Sequence, residues 1–290
     1  NYLKNNNSDN ILKTDLISID TSKVSEIIIH PSGVNKADVK FINKNGKWNV
    51  NNGHVNSETK EGDMGRILSE LASIKIERLI TKSKDKWEKY QLSDSLATLL
   101  EIREKDKSSP LKLFLGKVNY KAPQGSGRQF NAQSFSAQTN IRVNNDYNVY
   151  LVNGFLGMMF NRDFNAWRKD DFIKFDKNSI TNINFAHPAD SSFSISKIDS
   201  VWKVGNKIPD STKLAQFITS ISNKTIRDFV DGYNPESAPE HTLKISGNNM
   251  KDIEVKCYRD VAENRFLMES SLNPGVFFSS KTEGVFNKIF

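Results

Sequence analysis

The sequence predicts an α+β fold made of two tandem repeats, each a mainly antiparallel sheet with one long and one short helix. Three observations carry that reading. First, motifs recur in the same order in both halves. Val24-x-x-Ile27-Ile28-Ile29, His30-Pro31 and Lys47-Trp48-Asn49-Val50 are answered by Ile180-x-x-Ile183-Asn184-Phe185, His187-Pro188 and Val201-Trp202-Lys203-Val204. A recurring block is one folding unit. Second, the apolar-alternating segments are short and turn-linked, which hairpins allow and parallel crossovers do not. Third, each half carries one long segment with helical periodicity, so strands and helices are segregated as in α+β domains.

In the first half, strands are expected at 16–20, 24–30, 37–43 and 47–50, punctuated by Gly46 and Asn51-Asn52-Gly53. A helix fits 58–73, because Met64, Ile67, Leu68, Leu71 and Ile74 recur at three- and four-residue spacing. Ile76, Leu79 and Ile80 make an extended exit, and Trp87 and Tyr90-Gln91-Leu92 follow in a lysine-rich connector. Strands are expected at 97–104 and 111–116. A polar stretch from Val118 to Asn148 separates them from Val149-Tyr150-Leu151-Val152, and a short helix runs from Phe155 to Asn161.

The second half repeats this order, with strands at 173–176, 180–186, 193–198 and 201–204. Asp210 or Ser211 is a fitting N-cap for a helix over 211–223, whose apolar face is Leu214, Phe217, Ile218 and Ile221. Strands follow at 241–246, 253–259 and 265–269, then Val276-Phe277-Phe278 and a final helix from Thr282 to Phe290. The expected layout is a polar linker or tail at 1–15, a first repeat at 16–170 and a second at 171–290. The leader Asn1 to Asn10 has no core pattern. It reads as the stub beyond a removed export or membrane segment, and equally as a frayed terminus.

Composition sets outer limits. The chain has 290 residues, 37% hydrophobic and 26% charged, which suits modest domains with polar loops. Its net charge of +7 permits an anionic partner. The basic residues are scattered among Asp and Glu, however, so the reading is a solvated surface with no nucleic-acid partner. Cys257 is the only cysteine, which excludes an intramolecular disulfide. No apolar run approaches the roughly 20 residues needed to span a bilayer.

The paired strand–Trp–helix blocks, the exit Tyr90-Gln91-Leu92 and the strand end Leu113-Phe114-Leu115-Gly116 together give the chain a family likeness. It resembles the bacterial domain-of-unknown-function family 4340 over nearly its whole length from residue 16. That family's exit usually reads Tyr-Gly-Leu, and Gln91 stands in place of the Gly. The resemblance implies an envelope protein with one N-terminal membrane anchor and an extracytoplasmic body. It also implies an association with gliding-motility-type ABC transporter components, and it carries over no catalytic residues.

The residues themselves point to no reaction. His30, His54, His187 and His241 lack metal-ligand spacing, and His-Pro at a strand end reads as a strand terminator. No Gly-x-Ser-x-Gly elbow occurs, and Gly125-Ser126-Gly127-Arg128 lacks the Lys-Ser/Thr of a phosphate loop. Asp170-Asp171 would point apart on a strand. Trp48, Trp202, Phe155, Met158, Met159, Phe160 and Trp167 read as core or as contacts between the copies.

The candidate contact loop spans 121–146, longer than its counterpart at 259–275. There Arg128, Gln129, Phe130, Gln133, Phe135 and Gln138 mix amide and aromatic groups. The expectation is a non-enzymatic extracytoplasmic module without metal or cofactor, an accessory or assembly subunit whose partners are membrane proteins such as ABC transporter subunits. The alternatives are a binding domain for envelope glycan or another polymer, and a hydrolase with carboxylates from distant segments.

Overall fold

A computed structural model describes residues 16–33, 36–121, 136–189, 191–281 and 284–290. The chain divides into two compact units, one ending at Arg168 and the other running from Lys169 to Phe290.

The first unit contains β1 (Val24–His30), β2 (Val39–Lys44), β3 (Lys47–Asn51), β4 (Asn56–Glu58), helix α1 (Asp63–Ser73) and β5 (Ile76–Thr81). It continues with β6 (Thr98–Glu104), β7 (Leu111–Lys121), β8 (Ser136–Val143), β9 (Val149–Asn153) and the short α2 (Leu156–Phe160). Among the described residues, nine strands form one sheet in the order β4-β3-β2-β1-β6-β7-β8-β9-β5. The pairs of neighbours are antiparallel. Alternate residues share a face, so Ile27 and Ile29, Leu100 and Ile102, Leu113 and Leu115, and Ile141 and Val143 build one apolar layer. Met64, Ile67 and Leu71 of α1 and the indole of Trp167 cover it.

The second unit contains β10 (Asp171–Lys174), β11 (Ile180–Ala186), β12 (Phe193–Ile198), β13 (Val201–Val204), α3 (Ser211–Ile221) and β14 (Asn223–Thr225). It ends with β15 (Phe229–Val230), β16 (His241–Gly247), β17 (Ile253–Asp260), β18 (Arg265–Ser270), β19 (Phe277–Ser279) and α4 (Val285–Ile289). Eight strands run in the order β13-β12-β11-β16-β17-β18-β19-β15, and β10 pairs separately with β14. Leu214, Ile218 and Ile221 of α3 join Ile183, Leu243, Ile245, Val255 and Met268 in the core. Asp210 caps α3, its carboxylate accepting from the backbone N–H groups of Thr212 and Lys213 at 2.9 and 3.0 Å. Cys257 is buried in β17, and burial pushes its thiol well above the usual range.

The sheets are antiparallel, as expected, but helices are few, so the architecture is mainly β where α+β was expected. Three local expectations are corrected. Residues 16–20 form no strand; Leu16, Ile17 and Ile19 pack against the first core without entering the ladder. The helix expected over 58–73 begins at Asp63, because Asn56–Glu58 is taken into β4 and Gly62 turns the chain with φ of 79°.

The stretch 118–148 is not a plain separator, since β7 runs on to Lys121 and β8 occupies Ser136–Val143. β8 was hidden because its second face is polar yet buried. Gln138 donates to Glu77 and Asn153, Asn140 to the Lys117 carbonyl, and Arg142 to Asp94. Each partner removes the cost of burying a polar group.

Candidate functional site

Tyr90-Gln91-Leu92 and Leu113-Phe114-Leu115-Gly116 meet in the first unit. Two short 3-10 turns, Lys84–Lys86 and Glu88–Tyr90, flank Trp87 and end at Gln91. Gln91 adopts φ 55° and ψ 42°, left-handed geometry that a side chain disfavours and glycine accepts. Glycine would take this conformation without strain. Leu92 then donates its N–H to the Trp87 carbonyl at 2.8 Å, closing the turn. The turn lies directly on β7 at Gly116. A Cβ there would overlap the Tyr90 carbonyl oxygen and come within 2.9 Å of the Gln91 carbonyl and the Leu92 side chain.

This packing places a second, smaller apolar cluster on the sheet face opposite α1: Trp87, Leu92, Ala97, Phe114 and Val149. Arg142 belongs to the same face, directly across the β7–β8 ladder from Phe114. Its guanidinium lies 3.8 Å from the Trp87 ring centroid and 3.5 Å from that of Phe114. Burial pulls its pKa down, and the neighbouring Asp94 carboxylate opposes that shift.

Above the cluster runs a groove of about 900 Å³, lined by His30-Pro31-Ser32-Gly33, Gln91, Asp94 to Ala97, Leu99 and Phe114. It adjoins a smaller hollow that shares Ser32, Gln91 and Leu96 and reaches Gly116, Val118, Gly157, Met158 and Asn161. His30 Nδ1 lies 2.8 Å from Asp38 Oδ1. Exposed apolar side chains rim this end of the unit. Met158 and Tyr120 are 56% and 62% exposed, with Leu96 and Phe155 also open to solvent. The Tyr120 hydroxyl donates to Met158 Sδ at 3.0 Å, and its ring lies 6.2 Å from that of Phe155. Phe155 and Met158 are thus not core, whereas Phe160 and Trp167 are fully buried.

The residues singled out in the sequence are dispersed. Arg128, Gln129, Phe130, Gln133 and Phe135, with the Gly125 to Arg128 segment, lie outside the described residues. Gln138 is not a loop residue but a buried strand residue of β8. Trp48 and Trp202 occupy β3 and β13, each only partly buried and packed against its own unit's core. Asp170 is buried and accepts from Arg227 Nε at 3.0 Å, while Asp171 opens β10.

His187 and His241 meet inside a ring of phenylalanines in the second unit. Among the described residues, no group of three or more His, Cys, Asp or Glu side chains is arranged to hold a metal ion, and no helix is long and apolar enough to cross a membrane.

Sequence reasoning missed Arg142, Trp87 and Asp94 as one assembly. Only the adjacent motif words around Tyr90 and Gly116 marked the place.

Against known families, the model described as Domain of unknown function (DUF4340) matches residues 48–245. No curated protein and no solved structure gives a match.

Proposed function

The chain belongs to the family Domain of unknown function (DUF4340), and from that premise we propose that it is a non-enzymatic contact module. In this reading it is the extracytoplasmic part of a membrane-anchored envelope protein, and it serves as an accessory or assembly subunit of an ABC-type transport system. Its mechanism is surface recognition by the groove end of the first unit. The observation that supports this is the rim of exposed Leu96, Tyr120, Phe155 and Met158 beside the groove. Clustered apolar side chains left open to water mark interaction surfaces, whereas single exposed ones carry no such meaning.

The test is affinity capture of membrane proteins from envelope extracts with the full-length protein, compared with Met158→Lys and Leu96→Lys variants. Both side chains are exposed, so the fold tolerates the change. Loss of transporter subunits from the variants supports the reading. Equal recovery by both variants and the wild type refutes it.

We also infer that the two units descend from one duplicated block. The support is the order of the strands. With β4 set aside, β3-β2-β1-β6-β7-β8-β9-β5 and β13-β12-β11-β16-β17-β18-β19-β15 run through corresponding elements, with Trp48 and Trp202 on the matching strands β3 and β13.

A second functional reading, polymer or glycan binding, draws support from a groove of about 670 Å³ in the second unit. There Trp202, Ile208 and Pro209 face Leu214 and Ala215. A partly exposed indole beside an open groove offers a face for stacking. Binding of soluble envelope polysaccharide that Trp202→Ala abolishes would favour this reading.

A further inference from the structure

Arg142 is held in an unusual balance. Its guanidinium is sandwiched between Trp87 and Phe114, and only 5% of its side chain is exposed. The slot is rigid on one side, because the Trp87 indole N–H donates to the Tyr147 carbonyl at 2.9 Å. A guanidinium stays protonated in proteins, so a buried one must be matched by an anion. Among the described residues the match is one carboxylate: Arg142 Nη2 donates to Asp94 Oδ1 at 2.7 Å. Asp94, by contrast, is 83% exposed. It lies in the segment Asp94 to Ala97 that lines the groove. Arg142 Nε, also buried, has no hydrogen-bond partner among the described residues.

The two ends of this ion pair are therefore unequal. The cation is stripped of water and fixed in place, while the anion remains hydrated on the groove wall. Moving Asp94 aside returns a carboxylate to water it has barely left. Arg142 does not itself line the groove, but a carboxylate that takes the place of Asp94 on the groove wall meets Nη2 and restores the same charge-assisted bond.

We propose that Arg142, buried behind the groove wall, is an anion-binding group and that Asp94 is its exchangeable internal occupant, displaced by an acidic side chain of a partner protein. The proposal rests on reading the groove as a partner-contact surface, and it adds the chemistry of the contact. The partner presents a carboxylate at Arg142, with apolar residues beside it for Leu96 and Met158. A carboxylate is favoured over other anions because Asp94 itself is the template for the geometry. The net charge of +7 aids the approach of an acidic segment.

The test is an NMR titration of the 290-residue chain, following the Arg Nε–H and Trp Nε1–H signals, with a hexaglutamate peptide and inorganic phosphate as separate probes. Asp94→Asn and Asp94→Ala remove a competitor tethered at high effective concentration. They should bind the peptide at least about tenfold more tightly than the wild type, with affinity falling as salt rises. The Arg142 and Trp87 signals should move together. Arg142→Lys keeps the charge but loses the planar fork, and should bind weakly in both Asp94 backgrounds.

The proposal is overturned if the Asp94 variants bind no better than the wild type, or if binding leaves the Trp87 signal unmoved. Phosphate binding as tight as the peptide would overturn the carboxylate assignment. Asp94→Asn keeps an oxygen that accepts from Nη2, so it remains testable even if Asp94→Ala or changes at Arg142 unfold the protein. Failure of the transporter capture with intact peptide binding would refute the proposed assembly role and leave the anion site standing.

Discussion

His187 and His241 face each other with their Nδ1 atoms 2.9 Å apart. One of the two must donate and the other accept, so the pair accommodates at most one proton between those atoms. Phe185 stacks on His187, and Phe266, Phe286 and Phe290 surround His241. Burial pulls the His241 pKa below its ordinary value of 6.5, and His187 adds to the shift while Glu240 opposes it.

The sign of the pH effect follows. A histidine whose folded pKa is depressed is neutral in both states at high pH, and stability is then undiminished. As pH falls below the unfolded value, the unfolded chain takes up a proton that the folded chain resists, and stability drops. The urea midpoint should therefore fall between about pH 7.5 and about pH 5.5. His241→Gln should flatten that slope. A slope unchanged in the variant would place the titration elsewhere.

Gln91→Gly should stabilise the protein. Releasing a side chain from left-handed geometry is worth about 1–2 kcal/mol, against about 0.5–1 kcal/mol of added backbone entropy for glycine. The expected net gain, roughly 0.5–1 kcal/mol, should appear as a higher melting temperature. Gln91→Val at the same place should lower it.

Gly116→Ala should do the opposite. Its Cβ would press on the backbone of Tyr90 and Gln91, which no side-chain rotation relieves. Overpacking of this kind costs about 1–3 kcal/mol. The turn carries Trp87 and leads into Asp94, so hydrogen exchange at Leu92 to Ala97 should rise along with the loss of stability.

Asp210→Ala should weaken α3 by about 1 kcal/mol, the usual loss when a capping carboxylate is removed. The first-unit helix α1 offers a control. Its N-cap is Gly62, with no side-chain hydrogen bond to lose, so Gly62→Ala tests left-handed backbone strain instead of capping. Denaturant titration of both variants separates the two effects.

The sequence by itself determined the elements whose pattern is local. Ile27 and Ile29 in β1, Leu243 and Ile245 in β16, and the periodic faces of α1 and α3 were legible because burial on one side leaves alternation or three-to-four spacing in the residues themselves. Asp210 was legible as a cap for the same reason, since its partners are two and three residues away.

Tertiary structure alone decided the rest. β8 reads as a polar loop, because Gln138, Asn140 and Arg142 are buried by partners far along the chain. The words Tyr90-Gln91-Leu92 and Leu115-Gly116 were visible, but not that one rests on the other. Trp87, Phe114 and Arg142 become a site only when the ladder sets β7 beside β8 and the turn folds over both. A pattern read along one segment reports which side of it avoids water. It carries no record of which distant segment supplies the cover, and that is where the candidate site is made.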